Sequence, residues 1–157
     1  MNAALVKRAL AGLTLIAVLG AGFELAAERH WRNGAQLVPW LALTLLILGV
    51  VLLLIDRAYG TVRVLAAVVM VASAFGVLAH VSANMTVGSF SGALDGVPAI
   101  GQWWQAFTKS VGEAPPLAPG MLAQAALLLL LATYVTRRPS AGRNADVSTP
   151  VKEPVES

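Results

Sequence analysis

The stretch "LVPWLALTLLILGVVLLLI", residues 37–55, runs for nineteen residues without a charged side chain. A helix rises 1.5 Å per residue, so about 20 apolar residues cross the ~30 Å hydrocarbon core of a bilayer. The stretch is far too apolar for an amphipathic surface helix, which needs a polar face. Working outward, residues 9–27 and 64–81 repeat the pattern. Residues 121–135 do so as well once 117–120 are counted with them. The expected fold is an all-α membrane protein, a four-transmembrane-helix bundle with spans at about 9–27, 37–55, 64–81 and 118–135.

Composition agrees. Of 157 residues, 57% are hydrophobic and 12% charged, where a soluble domain carries about 25% charged residues. The net charge of +3 comes from short clusters beside apolar runs. That is a pattern of membrane orientation rather than of a nucleic-acid surface, so no nucleic acid is expected as a partner. The chain has no cysteine, which removes disulfides, thiolate metal sites and thiol nucleophiles. No internal repeat of solenoid length is present.

With a cytoplasmic N-terminus, the inner side carries Lys7, Arg8, Arg57, Arg63, Arg137, Arg138, Arg143 and Lys152, against Arg29, Arg32 and Lys109 outside. Eight against three satisfies the positive-inside bias. Both termini are then cytoplasmic and the chain sits in the plasma (inner) membrane. The transmembrane domain covers 1–138, followed by a polar, Pro-bearing tail at 139–157 that is expected to be disordered. A cut after Ala27, as in a signal peptide, is the competing reading of the start. The length of the first run, leading straight into another span, favours a retained helix, and intact mass separates the two.

The outer loop, 82–117, divides in two. "NMTVGSFSGALDG" is rich in Gly and Ser and is expected to be irregular. "VPAIGQWWQAFTKSVGE" sets Ile100, Trp103, Trp104, Phe107 and Val111 on one helical face. This predicts an interfacial helix at about 98–111, for lipid anchoring or partner docking by Trp103, Trp104 and Phe107. Trp31 and Trp40 on the outer side, and Tyr59 and Tyr134 on the inner, read as belt residues.

The polar residues within the spans are the candidate site. Counted from Arg8, Glu24 lies about 24 Å along its helix, and His80 about 25 Å from Arg63. Gln124 falls about 7 Å below the outer edge, so three spans deliver a polar group to one layer. Ala17, Gly20, Glu24 and Glu28 form one stripe, and Ala72, Gly76, His80 and Asn84 another. Small residues let membrane helices approach, and polar side chains favour such seams over lipid. Glu24, Glu28, His80, Asn84 and Gln124 are therefore expected to form a polar site open to the outer side, with His80 as the partner of Glu24. The blander readings pair Glu28 with Arg32 and leave His30 an ordinary interfacial residue. They make Gln124 interhelical glue and Asp56-Arg57 a helix-end pair, in a turn centred on Gly60.

No phosphate loop, nucleophile elbow or zinc-protease motif occurs, so no enzyme is expected and no cofactor is indicated. The leading expectation is a non-enzymatic accessory or assembly subunit. Its partners are the lipid bilayer and either another membrane protein or further copies of itself, as a homo-oligomer. A proton-linked transport component using Glu24 and His80 is the first alternative. A redox or metal protein with Glu24, Glu28, His30 and His80 as ligands is the second.

Overall fold

A computed structural model describes residues 2–135, so the expected tail at 139–157 lies outside the described residues. The chain forms α1 (Ala3–Ala27), α2 (Val38–Leu54), α3 (Tyr59–Phe90), α4 (Ala99–Phe107) and α5 (Leu117–Val135), with a 3-10 turn at Gly34–Leu37 before α2. There is no strand among the described residues. α1, the stretch Gly34–Leu54 that joins the 3-10 turn to α2, α3 and α5 are each long and apolar enough to cross a membrane.

Each boundary has a local cause. The Asn2 side chain accepts from the Ala4 N–H at 3.0 Å and starts α1, satisfying a donor that the first turn leaves free. Pro39 sits in the first turn of α2, where its missing N–H costs nothing. α1, α2 and α4 close in the same way, with Arg29, Asp56 and Lys109 in the left-handed region. The next N–H then reaches back to Leu25, Leu52 and Gln105 respectively, taking up carbonyls that would otherwise be orphaned.

α5 packs against α1, α2 and α3. The main core joins Ala11, Val18 and Ala21 to Leu46, Val50 and Leu53, with Val62, Ala66 and Val69 of α3 and Ala125, Leu129 and Ala132 of α5. Three helices offer small residues and α2 offers leucines, so the backbones approach closely. A Cβ at Gly49 would stand 2.6 Å from Leu129 Cδ2, and one at Gly76 would stand 3.0 Å from Pro119 Cβ. The opposite faces expose Ile16, Leu19, Phe23, Val71, Phe75 and Leu78 among others, an apolar coat that water would not tolerate on a monomer of this size.

Several boundaries differ from the sequence reading. α3 continues to Phe90 through most of the stretch expected to be irregular. The reason is tertiary: Asn84 and Gly88 point inward, and the returning chain packs on the extended helix. Val81, Leu94, Ala106 and Val111 form a second small core there, with Val77, Met85 and Phe107 against it. The loop helix is shorter than 98–111, because Lys109 ends it and Val111 turns into that core. The α2–α3 turn is centred on residues 56–58, with Asp56 and Ala58 both at positive φ, and Gly60 already lies inside α3. α1 starts at Ala3, which brings Lys7 into the helix.

Candidate functional site

The two ends of the bundle differ in chemistry. At the loop end, a cleft between α1, α3 and the start of α5 is lined by Glu24, Glu28, His30 and His80, with Pro115 and Pro119. His80 Nδ1 lies 2.8 Å from the Pro115 carbonyl oxygen. A carbonyl only accepts, so Nδ1 carries the proton, and in the neutral ring Nε2 is left as an acceptor. His30 is half-buried, and its backbone carbonyl accepts from Trp40 Nε1 at 2.7 Å. Burial holds the His30 imidazole below its usual basicity; the nearby His80 lowers it further, while Glu28 opposes. Glu24 also borders a second depression with Phe107, Lys109 and Met121.

The cleft thus brings together Glu24, Glu28 and His80 from the expected polar site and adds His30, which the sequence reading counted only in its alternative metal set and otherwise left at the interface. The expected direct pairing is not made: among the described residues, no hydrogen bond or ion pair joins Glu24 to His80, and His80 is held by Pro115 instead. Glu28 is exposed and does not pair with Arg32, whose backbone N–H donates to Gln36 Oε1. The α1 stripe is rotated from the one expected. The buried positions are Lys7, Ala11, Thr14, Val18 and Ala21, while Gly20 is exposed and Glu24 stands at the edge of the packed face.

Asn84 and Gln124 leave the cleft altogether. Asn84 is 1% exposed. Its Nδ2 donates to the Ala106 carbonyl at 2.9 Å and the Ala114 carbonyl at 2.8 Å, and its Oδ1 accepts from the Ala114 N–H at 2.9 Å. One side chain therefore ties α4 and the segment before α5 to α3. Gly112 makes room for it: at φ +72 a side chain there would be strained, and its Cβ would stand 2.7 Å from Asn84 Cα. Gln124 is exposed, on the outward face of α5, so it is not glue within the bundle. Among the described residues no group of three or more His, Asp or Glu side chains is placed to hold a metal ion. Glu24, Glu28, His30 and His80, the ligand set of the metal reading, line one cleft without forming such a group.

At the other end, Lys7 Nζ lies 2.6 Å from Asp56 Oδ1, which also accepts from the Tyr59 hydroxyl. These two hydrogen bonds hold the Asp56 carboxyl below the usual carboxylate range, the Lys7 bond contributing most. Arg57 is not its partner, in contrast to the expected Asp56-Arg57 pair. Arg63 Nε donates to Thr133 Oγ1 at 2.9 Å, and its guanidinium lies 4.2 Å from the centre of the Tyr134 ring. The two tyrosines expected as belt residues take part in polar contacts at this end, Tyr59 with the Lys7–Asp56 pair and Tyr134 with Arg63. The sequence contained one signal for these contacts: Lys7, Ala11, Thr14, Val18 and Ala21 follow at spacings of three and four, so Lys7 begins the buried stripe.

Compared with known proteins, the chain matches no family model, no curated sequence and no solved structure.

Proposed function

We propose that the protein is a multi-pass component of the plasma (inner) membrane with both termini cytoplasmic. It acts as a non-enzymatic accessory or assembly subunit and binds another membrane component through α4. The observation that carries this reading is the aromatic plate on that helix. Trp103 stacks on Phe107 at 5.1 Å between ring centres and Trp104 at 6.1 Å, with Trp104 59% exposed. Ala106 is fully buried beneath them, and its carbonyl is held by Asn84. Rings already ordered lose little freedom on docking, which makes them efficient anchors. Their place at the loop end of four apolar helices suits a surface at headgroup depth.

Replacing both Trp103 and Trp104 by Ala removes the plate while keeping helix-forming residues. The expected result is a folded protein that no longer co-purifies with its membrane partner in gentle detergent. Intact co-purification of the double variant rejects this role for α4.

A second reading, a proton-linked transport component, draws on the cleft, where Glu24, Glu28, His30 and His80 share one opening. A carboxyl and an imidazole facing one opening are the side chains that proton relays in membranes use. Glu24→Gln keeps the shape and removes the charge. It is expected to abolish pH-dependent flux in liposomes, and unchanged flux dismisses the assignment.

A further inference from the structure

Gln124 is the polar residue of α5 that the bundle does not use. It is exposed, and its amide makes no hydrogen bond among the described residues. Seven residues separate it from Leu117 and eleven from Val135, placing it about 10 Å and 16 Å from the two ends of the helix. Both distances exceed the reach of its own side chain, so water at either surface is not an available partner. An amide left bare in hydrocarbon is strongly disfavoured. A neighbour must bring a polar group to the same depth.

The chemistry of the amide selects that neighbour. It offers two N–H donors and one carbonyl acceptor, and its natural complement is a second amide. A second copy of the same chain, inserted in the same sense, carries that amide at the same height. A two-fold axis along the membrane normal then sets Gln124 against Gln124, each donating and accepting. Met121, Leu127 and Leu131 flank it on the same exposed face. No charged residue occurs from Leu117 to Val135, so two such faces meet without like-charge repulsion.

We infer that the protein self-associates through this face of α5, with paired Gln124 amides at its centre. The inference rests on the protein being integral to the bilayer, which resistance of both wild type and variant to alkaline extraction registers separately.

The full chain, reconstituted in liposomes at low protein density, provides the test by single-molecule photobleaching. The wild type is expected to form dimers, and Gln124→Leu to weaken them by about tenfold. Because Gln124 faces outward, the variant should keep its helicity and the thermal midpoint of the monomer. The described residues contain no cysteine, nor does the rest of the chain, so single cysteines report contacts cleanly. Leu127→Cys should cross-link between copies on oxidation, and Leu48→Cys, exposed on α2, should not. A monomeric wild type overturns the inference. So does dimerisation unchanged in Gln124→Leu, a loss of monomer stability in that variant, or cross-linking at Leu48 equal to that at Leu127.

Discussion

Asn84→Ala is expected to release the chain between α3 and α5 from the bundle and to cost about 2–4 kcal/mol of stability. The substitution leaves the Ala114 carbonyl and N–H without the side chain that serves them, and the Ala106 carbonyl with only its backbone partners. Desolvated backbone groups without partners are expensive, and water has little access to a site where the side chain is 1% exposed. Asn84→Asp keeps the acceptor but loses both donors, and turns a carboxylate toward two carbonyl oxygens. It should be at least as damaging at neutral pH. Gly112→Ala approaches the same clamp from the other side, since its Cβ would meet the Asn84 backbone.

Two measurements check this. Thermal unfolding in detergent should show lower midpoints for all three variants. Trypsin should also cut faster at Lys109, the one Lys or Arg between residues 91 and 116. An unchanged midpoint together with unchanged cleavage would show that Asn84 is not the clamp.

The second large effect is an asymmetry between two partners in one ion pair. The Lys7 side chain is 9% exposed and that of Asp56 is 62% exposed. Asp56→Ala strands the buried ammonium and removes the acceptor of the Tyr59 hydroxyl, whereas Lys7→Met leaves a carboxylate that water can solvate. Breaking a pair is most costly when the survivor is the buried member. Asp56→Ala should therefore lower the thermal midpoint far more than Lys7→Met, and equal effects would refute the asymmetry.

The pH dependence follows from the same contact. The folded-state pKa of Asp56 is depressed, so its contribution is complete above the ordinary carboxylate value of about 4. It is lost as pH falls through the lower folded value. Wild type should lose midpoint on acidification below about pH 4, with a steeper slope than Asp56→Ala.

Particular residues show how far the sequence could be read. Counting residues from basic anchors puts Glu24 and His80 in one layer, and the two side chains line one cleft. Counting works because helical rise is constant whatever the neighbours are. Rotation about the helix axis is less secure. On α1 the choice between Gly20 and Ala21 as the inward residue turns the face by about 100°, and it was Ala21 that packed. Gln124 shows the same limit: residue counting gives its position along the helix, while only the packed bundle shows that it faces outward. For Asn84, polarity in a span marks ligands and clamps alike, and only the positions of the Ala106 and Ala114 backbone distinguish them.

The amino-acid sequence alone determined four long apolar helices, because length and hydropathy are properties of a contiguous segment and the cost of baring a backbone in lipid leaves no alternative to helix. Tertiary structure decided the rest. Lys7 found Asp56 across 49 positions, Asn84 found its carbonyls in the returning loop, His30 joined His80, and Gln124 was left facing outward. Each of these depends on how all the helices rotate and pack together, and that balance of small-residue contacts and satisfied polar groups belongs to no single segment.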